Sequence, residues 1–160
     1  MLNISHLKKK YRGSDVWAVN DLSLEVKEGE IFGFLGPNGA GKSTTIKSLV
    51  GILPFDEGEI TIGGIDLRKD PLAAKANIGY VPDNHAVFER LTGREYVNHI
   101  ANLYRVPPEL AEKRSEQYLE IFSLAHAFDR PIKTYSHGMK QKITVIAALV
   151  HAPKLWVLDD

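Results

Sequence analysis

The stretch GPNGAGKST, residues 36–44, decides the fold of this chain. It fits the pattern G-x-x-x-x-G-K-[ST], in which glycines let the backbone turn its N–H groups inward around phosphate oxygens. In this pattern Lys42 reaches the β- and γ-phosphates, and the Ser43 hydroxyl ligates Mg²⁺. The loop therefore predicts that the chain binds a nucleoside triphosphate.

The sequence on either side of this phosphate loop predicts a strand before it and a helix after it. The apolar run at 31–35 predicts a buried strand, and 43–50 predicts a helix whose N-terminus adds to the anion site. The residues predicted to bind the triphosphate are Gly36, Pro37, Asn38, Gly39, Ala40, Gly41, Lys42, Ser43 and Thr44.

Composition narrows the class of protein further. The 160 residues are enough for one domain with a real core, and 20 basic residues balance 20 acidic ones. The short basic cluster at 8–12 is typical of a solvated strand end, so nucleic acid is not favoured as a partner. The chain has no cysteine, which suits a reducing cytosol. The longest apolar run, 143–150, is too short to span a bilayer, so work at a membrane would need a partner.

The remaining pattern predicts strands first, then helices, then a return to strand–helix alternation. Further extended segments are predicted at 2–7, 22–26, 59–62, 77–81 and 154–158. Helices are predicted at 71–76, around Tyr96, Ile100 and Leu103, from Leu110 to Phe122, and at 138–150. This order predicts an α/β fold with a helical insertion.

Two motifs later in the chain add to the nucleotide site that the phosphate loop predicts. The stretch LWVLDD, 155–160, is an apolar strand that ends in carboxylates, an arrangement that places an acid beside Mg²⁺ in phosphate-loop proteins. Asp159 would hold the metal through water and Asp160 would face the attacking water. In YSHGMKQ, 135–141, Ser136 is either a helix N-cap or part of a nucleotide signature.

In these motifs, from about residue 2 to the last residue, the chain resembles the nucleotide-binding subunit of an ABC transporter. The matching elements, in order along the chain, are Tyr11, GPNGAGKST at 36–44, IGYVPD at 78–83, YSHGMKQ at 135–141 and LWVLDD at 155–160. The resemblance implies an α/β P-loop NTPase fold with a RecA-like core, an N-terminal antiparallel β subdomain and a helical insertion. The signature variant is similar to that of bacterial subunits serving exporter-type or undefined permeases.

The resemblance also implies a domain plan and partners. It implies one nucleotide-binding domain, 1–160, incomplete at its C-terminus. The β subdomain and phosphate-loop core would take 1–82, the helical subdomain 83–134, and the signature helix with the acidic strand 135–160. A second ATP-binding subunit, in a homodimer or heterodimer, and an integral membrane permease would be the partners. The chain would then lie on the cytoplasmic face of the cell membrane.

Individual roles follow from the same resemblance. Tyr11 would stack on adenine, with Trp17 as its rival and ordinary packing as the alternative for both. The signature residues that would contact the ATP of the partner subunit are Ser136, His137, Gly138 and Met139. The residues that would hold Mg²⁺ are Ser43, Asp83 and Asp159.

The chain departs from the family pattern at several of these positions. Asp83 stands where Gln is usual, and His137 and Met139 stand where Gly and Gln are usual. Asp160 stands where the family usually has Glu, which draws the carboxylate back by about 1.5 Å, one C–C bond. A misplacement near 1 Å can cost on the order of 10²-fold in rate, so slow hydrolysis is expected. All six histidines precede Asp160, so the switch histidine of the family is not among them and a fragment is expected.

The sequence leaves three possible functions open. The first is the ATP-hydrolysing subunit of an ABC transporter, which uses Mg²⁺ with ATP. The second is an ATP-dependent clamp with little hydrolysis, which Asp160 favours. The third, an ABC ATPase that acts on ribosomes or DNA, is disfavoured by the zero net charge. A GTPase or kinase would leave YSHGMKQ without a role.

Overall fold

The computed structural model describes residues 1–83 and 88–159, which form two compact units. Unit 1 consists of Met1–Ile78 and Lys154–Asp159, and unit 2 is Gly79–Pro153. The strands are β1 (Leu2–Lys10), β2 (Trp17–Val26), β3 (Glu57–Ile62), β4 (Ile65–Asp66), β5 (Ile78–Val81) and β6 (Leu155–Leu158). The α-helices are α1 (Lys42–Leu49), α2 (Pro71–Ala76), α3 (Gly93–Leu103), α4 (Pro108–Ile121) and α5 (His137–Leu149).

The larger sheet of unit 1 is antiparallel, with the strand order β2–β1–β3–β4. Leu2 on β1 lies opposite Val26 on β2 and Ile62 on β3. Apolar side chains alternate along these strands, so one face of the sheet is buried. The buried side chains that the strands contribute are Leu2, Ile4, Leu7, Val19, Val26, Ile60 and Ile62.

A bulge interrupts β1 near its middle. The register shifts between Ile4 and Leu7, and His6 adopts a positive φ of 50°. Gly58 on β3 packs closely against this bulge: a Cβ at Gly58, whose φ is 94°, would lie 2.5 Å from the carbonyl oxygens of Ser5 and His6. Glycine at 58 is therefore required both by conformation and by space.

The second sheet contains β5 and β6. The backbone N–H of Leu155, at the start of β6, donates to the carbonyl of Asn77 at 2.9 Å. The helix α2 that precedes Asn77 begins where the sequence predicts, because Asp70 accepts from the N–H of Ala73 at 3.0 Å and Pro71 occupies the first helical position.

The strand predicted at 31–35 is wrong. The structure assigns no strand there, Ile31 is fully exposed, and Leu35 is 92% exposed. Neither sheet of the described residues includes this segment. An apolar run indicates only a preference for burial, whereas a strand also requires a hydrogen-bonded neighbour.

Unit 2 is mainly helical, and α3, α4 and α5 among its described residues confirm the helical periodicity of the sequence. α3 begins with a capping box, in which Thr92 accepts from the N–H of Glu95 and Glu95 accepts from the N–H of Thr92. α4 begins at Pro108, a residue that favours the first turn of a helix. The largest fully buried side chains of this unit are Val97, Leu124, Ile132, Ile143, Ile146 and Val150.

A charged cluster on unit 2 links the start of α3 to α4 and to the segment after it. The Arg94 guanidinium donates to Glu112 and to Asp129, each at 2.6 Å, and lies 4.6 Å from the Phe128 ring centroid. The hydrogen bonds from Arg94 lower the pKa of the Asp129 carboxyl below its ordinary value.

Within 1–83 and 88–159, no helix combines the length and apolar character needed to cross a bilayer.

Candidate nucleotide-binding site

The phosphate loop turns into α1 through a glycine that no other residue can replace without strain. Gly41 is the N-cap of α1 and has φ 87° and ψ 8°, the left-handed region. A Cβ there would lie 2.3 Å from the carbonyl oxygen of Ala18 on β2. The motif's second glycine therefore serves both the turn and the close approach of β2 to the loop.

No side chain of the described residues caps the first turn of α1. The first N–H groups of a helix lack intrahelical partners and carry partial positive charge, so they favour an anion. The loop before them is exposed, with Gly39 also at a positive φ of 83° and a turn in which the Ala40 N–H donates to the Pro37 carbonyl at 3.2 Å. An exposed helix start without a capping side chain is the kind of site at which phosphate groups bind in proteins.

Two hydrogen bonds hold the side chain of Lys42 against the phosphate loop. Its ammonium donates to the carbonyl of Gly36 and, at 2.9 Å, to the carbonyl of Pro37. An ammonium has three N–H donors, and these two bonds use two of them. The two carbonyls therefore hold the cationic end of Lys42 at the loop.

Tyr11 lies beside the same helix start. Its hydroxyl is 3.0 Å from Oγ1 of Thr44, in the first turn of α1, and its side chain is 46% exposed. The rival aromatic, Trp17, has the ammonium groups of Lys10 and Lys8 at 4.9 and 5.9 Å from its ring. Tyr11 thus contacts the start of α1, whereas Trp17 has two lysines of β1 near its ring; which of the two stacks on a base stays a prediction.

The predicted metal residues lie in different parts of the chain. Ser43 is exposed in the first turn of α1, and Asp159 directly follows β6 and is half-buried; both belong to unit 1. Asp83 is exposed and belongs to unit 2, and Asp160 lies outside the described residues. The described residues contain no group of three or more His, Cys, Asp or Glu side chains suited to a metal. A hydroxyl and a carboxylate are donor types that suit Mg²⁺, which binds few carboxylates and completes its shell with water and phosphate oxygens, so the metal site stays a prediction.

The signature segment in unit 2 begins α5. Ser136 is its N-cap and accepts from the N–H of Met139 at 3.3 Å, so the N-cap interpretation is confirmed. Ser136, His137 and Gly138 are exposed, and a Cβ at Gly138 would meet nothing within 4 Å. The start of α5 is therefore accessible to a partner molecule.

Sequence reasoning missed the residue that anchors this segment. Tyr135 is buried, and its hydroxyl donates to the carbonyl of Ala127 at 2.6 Å. Burial raises the pKa of the Tyr135 phenol. A Cβ at Gly93, the first residue of α3, would lie 2.5 Å from the Tyr135 hydroxyl oxygen. The only sign of this contact in the sequence is the tyrosine itself, whose hydroxyl needs a hydrogen-bond partner when it is buried.

Comparison with known proteins identifies the family. The family model described as ABC transporter matches residues 19–160. The linearmycin resistance ATP-binding protein LnrL of Bacillus subtilis is 40% identical over 160 residues, which is all of this chain and 51% of LnrL. The chain therefore spans about half the length of this curated relative.

Comparison with solved structures indicates the same family. A structure described as the ATP-binding subunit of an ABC transporter superposes with a TM-score of 0.91 at 30% identity, covering 100% of this chain and 66% of that one. A dimeric post-hydrolysis state of an ATP-binding cassette bound to ADP and Pi has a TM-score of 0.85 at 26% identity, covering 100% of this chain and 74% of that one. The predicted α/β P-loop NTPase fold is thus confirmed. The chain belongs to the ABC transporter family, among its ATP-binding subunits.

Proposed function

We propose that this chain binds Mg²⁺·ATP in its phosphate loop and that the whole protein hydrolyses ATP to power transport through a separate membrane permease. The observation that carries the proposal is the start of α1. There Gly41 opens the helix without a side-chain cap, and Lys42 is already held by the carbonyls of Gly36 and Pro37. Such a start is built for a phosphate anion.

Each residue near the loop has a role in this proposal. Lys42 neutralises the β- and γ-phosphates, and Tyr11 stacks on the base. Mg²⁺, when bound, supplies positive charge that stabilises the transferring phosphoryl group. Ser43 and Asp159, both in unit 1, hold it, while the role of Asp83 stays a prediction from the sequence. These residues bind and orient the triphosphate, since phosphoryl transfer relies on positioning and charge.

Hydrolysis requires a carboxylate that orients the attacking water, and we assign this role to Asp160. Its side chain is one methylene shorter than the Glu usual in the family, so turnover is slow while binding is intact. In the whole protein, Asp160→Glu then raises kcat with little change in KM. An unchanged kcat would contradict the assignment.

The signature residues complete the site of a second subunit in the proposal. Ser136 and the backbone N–H of Gly138, at the exposed start of α5, contact the γ-phosphate bound by the partner. The relative that forms an ATP-binding cassette dimer with ADP and Pi supports such a pairing. The residues 83–134 then serve as the helical subdomain that meets the permease, on the cytoplasmic face of the membrane.

An exporter-type permease is the proposed partner. The support is the name of the relative LnrL, a linearmycin resistance ATP-binding protein, since resistance can arise from expulsion of a toxic compound. A second candidate, an ATP-dependent clamp with little hydrolysis, is favoured by the single observation that position 160 is Asp.

Thermal unfolding with and without Mg²⁺·ATP tests the binding step. Ligand at 100 times its dissociation constant stabilises the folded chain by about 2.7 kcal/mol. Lys42→Ala should abolish this shift. Lys47→Ala is the matched control, because Lys47 is an exposed lysine in the last turn of the same helix and its loss leaves the shift intact. A shift that survives Lys42→Ala would place ATP elsewhere.

A further inference from the structure

We infer that the hydroxyl of Tyr11 positions the hydroxyl of Thr44 for the phosphate chain, as the first donor of a short hydrogen-bond relay. This inference rests on the proposed function, because it assumes that ATP binds at the phosphate loop. It concerns the hydroxyl of Tyr11, a group distinct from the ring that stacks on the base. The two oxygens lie 3.0 Å apart, although the residues are 33 positions apart in the sequence.

The direction of this hydrogen bond follows from the chemistry of the two groups. A phenolic hydroxyl is a better donor and a poorer acceptor than an aliphatic one, because the ring withdraws electron density from its oxygen. Tyr11 therefore donates to Oγ1 of Thr44. The hydrogen of the Thr44 hydroxyl is then directed away from Tyr11.

Comparison with the neighbouring Thr45 shows why the direction of the hydrogen bond from Tyr11 is important. The Thr45 hydroxyl donates back to the carbonyl of Gly41 at 2.9 Å, so its hydrogen is spent within the helix. Thr44, which is 9% exposed, instead faces Tyr11 in the first turn of α1. Its hydroxyl hydrogen is thus kept for an acceptor at the uncapped helix start, where the phosphate chain lies in the proposed function.

A hydroxyl that accepts one hydrogen bond donates the next one more strongly, because the bonds polarise each other. The relay from Tyr11 through Thr44 to a phosphate oxygen therefore tightens phosphate binding. Loss of the phenolic hydroxyl should weaken binding between about 2-fold and 12-fold, the range of one net hydrogen bond. The effect should be the same for a ligand that has phosphates and no base.

The test measures dissociation constants of the 160-residue chain for Mg²⁺·ATP and for inorganic tripolyphosphate by calorimetry. Tyr11→Phe keeps the ring and removes the hydroxyl, and it should weaken both ligands by a similar factor. Tyr118→Phe, on α4 of unit 2, removes a tyrosine hydroxyl away from the loop and should change neither. If Tyr11→Phe weakens ATP and leaves tripolyphosphate unchanged, the hydroxyl acts only on the base and the relay is wrong.

A double-mutant cycle separates the relay from a general loosening of the loop. In a Thr44→Val background, Tyr11→Phe should have no further effect, whereas in Thr44→Ser, which keeps the hydroxyl, it should have its full effect. Equal losses in both backgrounds would overturn the relay. If Thr44→Val binds neither ligand, the comparison of ATP with tripolyphosphate decides alone. Failure of the proposed function looks different: the unmodified chain would bind neither ligand, or would bind both regardless of Lys42.

Discussion

The two helices that begin at candidate nucleotide residues, α1 in unit 1 and α5 in unit 2, start in different ways. α1 begins at Gly41 in the left-handed conformation, with no capping side chain among the described residues. α5 begins at Ser136, which is extended and accepts the N–H of Met139. α1 thus leaves its first N–H groups for a ligand, whereas α5 satisfies part of its own start. An anion completes α1, while an anion at α5 must compete with Ser136.

The largest expected effect separates the glycines of these two starts. Gly41→Ala should destabilise the chain by about 2–4 kcal/mol, because Cβ meets the Ala18 carbonyl and φ is positive. Gly138→Ala should stabilise it by about 0.5–1 kcal/mol, since the position is helical and open. Urea unfolding measures both. Equal changes in the two variants would remove the distinction between the two helix starts.

The second-largest effect is expected for Gly93→Ala, which tests whether the start of a helix in unit 2 requires glycine only because of the space available. Gly93 is helical, yet its Cβ would lie 2.5 Å from the Tyr135 hydroxyl oxygen. We expect a net loss of about 1–2 kcal/mol in the free energy of unfolding. With Tyr135→Phe as background the added cost should shrink, because the clashing oxygen is gone. A cost that does not depend on residue 135 would contradict the packing explanation.

Ser136→Ala should have a smaller effect, since it removes the side-chain cap of α5 and nothing else within the helix. The expected loss is about 1 kcal/mol, or about 2–4 °C in Tm for a chain of this size. Ser136→Asn, which retains a capping oxygen, serves as the control. If Ser136→Ala unfolds at the same temperature as the unmodified chain, α5 is no more self-capped than α1.

The smallest effect concerns acid stability of the two units. Arg94 lowers the pKa of Asp129 below 3.8, so its contribution is present above that value and is lost as pH falls through the lowered pKa. Asp129→Asn should flatten the fall in unfolding free energy between about pH 5 and pH 2. Asp56 in unit 1, whose pKa is lowered chiefly by the N–H of Lys10, provides the parallel variant Asp56→Asn. If neither substitution changes the pH dependence of the unfolding free energy, neither carboxyl contributes to acid stability.

The sequence predicted best those elements whose boundaries have local causes. The helix predicted at 71–76 is present as α2, and the structure shows that Asp70 and Pro71, within the same few residues, fix its start. The helices of unit 2 follow from a spacing that is likewise local, and Ser136 acts as the N-cap that its position before α5 predicts. Such signals involve neighbours within one turn, so no distant contact can override them easily.

What escaped prediction depends on contacts between distant residues. The segment 31–35 is apolar enough for a strand, but a strand exists only where another strand pairs with it. The bond between Tyr11 and Thr44, and the approach of Gly93 to Tyr135, join positions 33 and 42 residues apart. No pattern in the sequence encodes these distances, although the residue types themselves are compatible with them.

The exposed apolar segment at 31–35 also predicts how the chain behaves at high concentration. It reads IFGFL, with no charge and no proline, and its first residue is fully exposed. Short uncharged segments of this kind pair with copies of themselves into cross-β assemblies. Turbidity of the chain should therefore rise with concentration, and Ile31→Lys should raise the concentration up to which the solution stays clear.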